Sequence, residues 1–164
     1  MAVADLNGVL DNIKNLFDNA NSTAASYDLS SNMQNRVKKV LTVNPDFIPP
    51  QASYFPFVTS YITSKSIESD NIVPSQQSSL RKSELQIEIV GGVYNQKITD
   101  STKDLGDRDI NYLMENIEYI LRTDYNLGGK IKWQKPIDVS YYSLNTSKSH
   151  IRVGVLKLQA VLFY

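Results

Sequence analysis

The chain has 164 residues, 17 basic and 17 acidic side chains, and no cysteine. This length predicts one domain with a substantial core. The balanced charge argues against nucleic-acid binding, the lack of cysteine excludes disulfides and thiolate metal sites, and no apolar run reaches the roughly 18 residues of a membrane span. The acidic N-terminal stretch does not read as a signal peptide.

The first third of the chain predicts one helix and one strand. Apolar residues recur at helical spacing over 6–20, which indicates an amphipathic helix. The stretch RVKKVLTV, at 36–43, predicts a strand with Val37, Leu41 and Val43 on one face.

A second strand is predicted over 54–62, either at a sheet edge or broken by a bulge. Pro56 lies inside it and has no N–H group to donate to a neighbouring strand. Residues 64–80 are polar and rich in serine, which predicts a long flexible loop within the single domain. The same composition also suits a disordered linker.

The alternation in SELQIEIV, at 83–90, predicts a strand with one buried face and one acidic, solvated face. Its buried residues are Leu85, Ile87 and Ile89, and its solvated residues are Glu84, Gln86 and Glu88. The pair Gly91-Gly92 that follows would permit a bulge or a turn.

The apolar spacing over 107–125 predicts a second helix that starts near Asp107 and Asp109 and stops at Gly128-Gly129. A strand follows over 131–141, with a break at Pro136. Both amphipathic helices need a sheet face to cover, so we predict an α+β domain. Its order is α-β-β-β-α-β-β, with two helices on one side of a mainly antiparallel sheet.

The last strand changes the phase of its apolar residues, which are odd-numbered from 151 to 155 and even-numbered from 156 to 162. One extra residue near 155–156 would restore a single inward face, so a β-bulge is predicted there. Val161 and Phe163 make the second face apolar as well. Either residues 54–57 of the same chain or a neighbouring subunit would cover that face.

Residues suited to catalysis or metal binding are scarce. His150 is the lone histidine and reads as an exposed loop residue. The acids of DSTKDLGDRD, at 100–109, do not follow calcium-loop spacing and suit a helix start better. Glu84 and Glu88 would lie roughly 13 Å apart on one strand face, which is too far for a catalytic carboxylate pair. The sequence therefore predicts a protein that is not an enzyme, needs no cofactor and works by contact.

The layout resembles the tail terminator, or tail-completion, proteins of long-tailed bacteriophages. The resemblance is carried by the opening helix DLNGVLDNIKNLF, the strand SELQIEIVGG and the block DLGDRDINYLMENIEYILRTDYNLGGKIKWQKPIDVSYY with the last strand. It implies a homo-oligomeric ring, usually of six subunits, that caps the tail tube and ends its polymerisation. Its other face would bind the head–tail connector, so the protein would lie in the virion neck after assembly in the host cytoplasm.

Two sets of contact residues are predicted for such a ring. The subunit interface would pair acids with bases and add an apolar patch, through Glu84, Glu88, Arg81, Lys82, Lys38, Lys39, Val161 and Phe163. The resemblance places a loop that contacts the tube or the connector between adjacent strands, here Lys65, Ile67, Ile72, Val73 and Ser75.

Other functions stay open at this point. The chain could be a connector adaptor or a tail tube protein of similar topology. It could also be a small enzyme with an unrecognised site, or a monomeric binding module that uses the 65–79 loop. Direct sequence-specific nucleic-acid binding and membrane insertion are not expected.

Overall fold

Two helices cover one face of a five-stranded sheet in the computed structural model, which describes residues 4–22, 25, 27–68, 82–95, 100–145 and 149–164. In chain order the elements are α1 (Leu6–Ala20), β1 (Lys39–Leu41), a 3₁₀ turn (Pro45–Phe47), β2 (Phe57–Glu68), β3 (Lys82–Asn95), α2 (Asp100–Thr123), β4 (Trp133–Asn145) and β5 (His150–Phe163). The predicted α+β class and element order are confirmed.

The strands lie in the order β1-β2-β3-β5-β4. β1 and β2 are parallel, and every other neighbouring pair is antiparallel. β3 and β5 form the centre of the sheet and pair without a register shift from Lys82 and Phe163 to Asn95 and His150. The two edges of the sheet are therefore the three-residue β1 and the thirteen-residue β4.

The main core lies between the helices and the sheet face that we call the helix face. α1 contributes residues such as Ile13 and Phe17, and α2 contributes Leu113 and Ile117. The predicted inward residues of β3 are confirmed, since Leu85, Ile87 and Ile89 all belong to this core. Apolar residues at helical spacing on one partner and at alternate positions on the other explain why these elements pack together.

The opposite face, which we call the outer face, is half covered by the crossover that joins β1 to β2. Phe55 and Phe57 form a second apolar cluster with Val90 and Ile151, and Val153 and Val155 pack against it. The two phenylalanine rings meet edge to face at 5.1 Å. The crossover therefore covers the first half of β5 and leaves the second half of its outer face without this cover.

The predicted β-bulge at 155–156 is wrong. β5 pairs with β3 in unbroken register through Val155 and Leu156. Even-numbered residues such as Leu156 and Leu158 face the helices, whereas Val153 and Val155 pack under the crossover. The phase of apolar residues changes along the strand because its two faces are buried over different lengths, and no residue is inserted.

The first two strands also differ from their predictions. β1 is only three residues long, and Val40 is its buried residue, whereas Val43 is exposed. β2 begins after Pro56 and runs to Glu68, with its register shift at 62–64. The predicted loop at 64–80 is thus corrected for 64–68, which form strand, while 69–81 lie outside the described residues. The sequence shows no alternation of apolar and polar residues in this part of β2, because the strand leaves the core as it approaches its end.

α2 begins seven residues before the predicted start, so Asp107 and Asp109 lie inside the helix and not at its cap. The predicted break in β4 is confirmed, because its register shifts between Pro136 and Asp138. Gly91 and Gly92 form neither a bulge nor a turn, since β3 continues through both of them to Asn95.

Asp109 connects α2 to the segment before β1. Asp109 is only 4% exposed, and its Oδ1 accepts a hydrogen bond from the backbone N–H of Gln34 at 3.2 Å. Burial raises the pKa of this carboxyl, and the hydrogen bond from Gln34 only partly opposes that effect. The ionised form is therefore disfavoured in the folded chain.

We expect Asp109→Asn to be more stable than the wild type at pH 7, because the amide keeps the acceptor oxygen and removes the buried charge. The native carboxyl binds its proton at higher pH than the unfolded one. Wild-type stability should therefore rise relative to the variant as pH falls from the raised pKa towards about 4. Urea unfolding of both proteins at pH 7 and pH 4 measures this. A variant that is less stable at pH 7 would contradict the assignment.

Candidate functional site

The predicted acidic residues of β3 lie on the outer face but already have partners in their own chain. Lys82 Nζ lies 3.4 Å from Glu84 Oε1, and Gln159 Nε2 donates to Glu84 Oε2 at 3.2 Å. Glu88 accepts a short hydrogen bond from the Tyr61 hydroxyl and lies opposite Lys157 on β5. These carboxylates are therefore held within one subunit.

The Tyr61 hydroxyl is kept protonated by its surroundings. Burial raises the pKa of Tyr61 to about 12, with further contributions from the hydrogen bond to Glu88 and from the charge of Asp46. A phenol held in this form acts as a hydrogen-bond donor over the whole physiological range. This arrangement fixes the Glu88 side chain on the sheet.

The predicted apolar patch at the end of β5 is smaller than expected. Val161 is 1% exposed, so it belongs to the interior of its own subunit and cannot form a subunit contact directly. Phe163 is 48% exposed. The prediction failed for Val161 because its cross-strand neighbours, Trp133 on β4 and Glu84 on β3, were not known from the sequence.

The predicted basic pair lies at the β1 edge. Lys38 and Lys39 are exposed. Lys38 Nζ donates to the carbonyl oxygen of Ala52 at 3.2 Å, and Lys39 Nζ lies 6.0 Å from the centre of the Tyr54 ring. Neither lysine has a carboxylate within 4 Å among the described residues. The structure does not bring this pair near Glu84 or Glu88 of the same subunit, since β2 separates β1 from β3.

The predicted tube-contacting loop is only partly described. Lys65 and Ile67 lie on β2, which corrects their assignment to a loop. Lys65 Nζ stacks 4.8 Å from the centre of the Tyr164 ring, a cation–π contact within the chain. The remaining predicted residues, Ile72, Val73, Ser75 and also Arg81, lie outside the described residues.

His150 is buried, which corrects the prediction of an exposed loop residue. It opens β5 and is 8% exposed. Its Nε2 lies 3.8 Å from Asp107 Oδ1, and Arg152 Nε lies 2.5 Å from the same oxygen. Arg152 also donates a short hydrogen bond to the Ser143 hydroxyl. The cluster joins α2, β4 and β5, and we interpret it as a structural connection between the two layers.

The feature that sequence reasoning missed is the exposed apolar surface along β4. Ile137, Tyr141, Tyr142 and Leu144 are each at least 43% exposed, and among the described strands β4 pairs on one side only. Apolar residues at consecutive positions 141 and 142 were the available signal, because they supply both faces of one strand. Their exposure depends on β4 being an edge, which requires the strand order.

An open apolar groove lies beside this edge on the outer face. Its volume is about 370 Å³. The crossover supplies Ile48 and Phe55, β5 supplies Val153, and β4 supplies Tyr142 and Leu144. The exposed residues of β4 thus continue into a second apolar surface, and together they form the candidate contact site.

Across the described parts of the chain, no three His, Asp or Glu side chains converge in a way that could hold a metal ion. None of the described helices is long and apolar enough to cross a membrane. No known protein family and no curated protein matches this sequence.

Proposed function

We propose that this chain is a structural subunit of a long-tailed phage, which forms a ring that caps the tail tube and stops its polymerisation. The ring, usually of six copies in the family it resembles, would offer its other face to the head–tail connector. The chain would act without catalysis and without a cofactor, and it would reside in the neck of the virion.

The observation that carries this proposal is the exposed, apolar edge strand β4. An unpaired strand with large apolar side chains is a template for association, and monomeric proteins usually block such edges with short strands, prolines or charges. Here the half of β4 after Pro136 is regular, and Tyr142 and Leu144 are 56% and 60% exposed. Association with other copies would remove this surface from water.

The fold is also suited to a ring. Its core between helices and sheet is complete within one subunit, so assembly is not needed to bury it. A closed ring requires two different contact surfaces on each subunit, one for each neighbour. The two unlike sheet edges, β1 and β4, provide such a pair of surfaces.

Native mass spectrometry and negative-stain imaging, with and without purified tail tubes, test the function. A terminator should give one closed ring or join tube ends and stop there. A tube protein would instead polymerise into long tubes, and a connector adaptor would bind the head side and leave tube ends uncapped. A monomer indifferent to tail components would overturn the proposal.

A double substitution on β4 tests the carrying observation. We expect Tyr142→Lys with Leu144→Lys to abolish the ring or tube-end binding, because it places two charges in the apolar contact. The free energy of unfolding should change by less than about 1 kcal/mol, since both side chains are exposed. The matched control is Tyr125→Lys, which changes a residue 65% exposed in the turn after α2 and should leave assembly intact. Normal rings from the double variant would exclude β4 from the contact.

A further inference from the structure

We propose that neighbouring copies join by adding β1 of one copy to the second half of β4 of the next, in antiparallel orientation, so that the sheet continues from subunit to subunit. The contact would lie between residues 38–41 and residues 138–144. This inference rests on the proposed function for the ring, and it specifies which surfaces close it.

Strand direction permits this pairing. β1 and β2 run one way, β3 runs the opposite way, β5 runs with β1, and β4 runs against it. Copies related by rotation about an axis along the strands keep the direction of every strand. β4 of one copy and β1 of the next are then antiparallel, and their backbones can form the hydrogen bonds of an antiparallel strand pair.

The two edges also lie at the same height in the sheet. Following the pairing across all five strands, Lys39 is in the row of Tyr142 and Leu41 is in the row of Ser140. A neighbouring copy placed beside β4 without a shift along the strands would bring its β1 to these residues. Closing a sheet staggers the register, and a shift of two residues would still place residues 39–41 within 138–144.

The first half of β4 is unsuited to pairing. Pro136 has no N–H group to donate, and the register shift between Pro136 and Asp138 disrupts the strand there. Both features are typical devices that block strand addition. They confine an incoming strand to the second half, and the brevity of β1 matches the short stretch that is left.

The charges on the two edges are complementary. Lys38 and Lys39 have no acidic partner within 4 Å in the described chain, and residues 138–144 contain no Lys or Arg. Asp138 is exposed on the outer face of β4.

Acids also lie beside this edge on the helix face. Burial is the main cause that raises the pKa of Tyr141, and the charges of Glu115 and Glu118 on α2 raise it further. Glu118 pairs with Arg122, but Glu115 has no basic partner among the described residues.

These charges also select the head-to-tail arrangement over two-fold dimers. Pairing β1 with β1 would bring two pairs of lysines close to each other, and pairing β4 with β4 would bring no base to the acids near that edge. Like charges facing each other across paired strands are destabilising. Of the three pairings, only the β4 to β1 contact brings the lysines towards the edge that has acids nearby, and only this contact can repeat around a ring.

Engineered disulfides test the contact directly, because the chain has no cysteine of its own. Lys39→Cys is combined in turn with Asp138→Cys, Ser140→Cys or Tyr142→Cys, all of which lie on the outer face. Within one subunit β1 and β4 are four strand spacings apart, roughly 19 Å. A disulfide needs Cα atoms within about 7 Å, so every disulfide formed must join two copies.

We expect at least one of the three pairs to give a ladder of covalent oligomers on a non-reducing gel after mild oxidation, ending at the ring size found by native mass spectrometry. Lys39→Cys with Tyr125→Cys is the control and should give no ladder. The three positions, spaced by two residues, allow for a shift between copies.

The outcomes that contradict the proposal are distinct. Efficient dimers from Lys39→Cys alone or Ser140→Cys alone would indicate a two-fold contact and overturn the head-to-tail arrangement. A native ring with no ladder from any pair would place the subunit contact elsewhere and leave the proposed function standing. A chain that is monomeric with and without tail tubes would overturn the ring and this contact together.

Discussion

Replacing Ile117 with alanine should lower the free energy of unfolding by about 2–5 kcal/mol. Ile117 lies in the middle of α2 and has no exposed surface. Removing its side chain takes apolar atoms out of the main core and leaves a cavity beneath the helix. Because small domains are stable by only about 5–15 kcal/mol, this one substitution would remove a large share of the total.

Urea unfolding at pH 7, followed by circular dichroism, gives the measurement. Asn111→Ala is the matched control, since Asn111 is exposed on the same helix and alanine favours helix formation. It should leave stability unchanged or slightly higher. A loss of less than about 1 kcal/mol for Ile117→Ala would mean that α2 does not pack on the sheet through this face.

The second large effect is expected from Gly154→Val. Gly154 on β5 lies opposite Gly91 on β3, beneath α2. A Cβ atom at 154 would lie 2.5 Å from Met114 Cγ, and one at 91 would lie 2.9 Å from Leu113 Cδ2. The two glycines let the helix approach the sheet backbone closely, so added methyl groups would displace α2.

We expect this substitution to cost about 1–3 kcal/mol or more through overpacking. The result separates two physical effects, because valine is much the better strand former and local propensity alone predicts a gain in stability. Gln86→Val provides the control, since Gln86 is exposed on the outer face of β3 and the same side chain there meets no helix. Equal stability of Gly154→Val and the wild type would contradict the close packing of α2 on this pair of strands.

The parts of the fold that were predictable depend on burial patterns local to one segment. The helical spacing around Ile110 and Leu113 and the alternation of Leu85, Ile87 and Ile89 each reflect one face buried along a whole element. The break at Pro136 has an equally local cause, the missing N–H group. Two helices on one side of a sheet are then expected, because the apolar faces of both helices must pack against one apolar sheet face.

The candidate site was less predictable, because each correction involves contacts between distant segments. His150 is buried by α2, and Val161 is buried between its neighbours on β3 and β4. Val153 and Val155 changed the apparent phase of β5 because a crossover a hundred residues earlier covers them. A sequence shows that such residues are apolar or titratable, but not which segment lies against them.

The sequence by itself therefore determined the α+β class, both helices, the inward face of β3 and the absence of cysteine chemistry. Only the tertiary structure decided which strands are edges, and with them the exposed surface of β4 and the exposed lysines at β1. The physical reason is that helical and strand periodicity is set by neighbours a few residues away. Strand order is set by hydrogen bonding between segments far apart in the chain, and the sequence of one strand does not identify the strand that pairs with it.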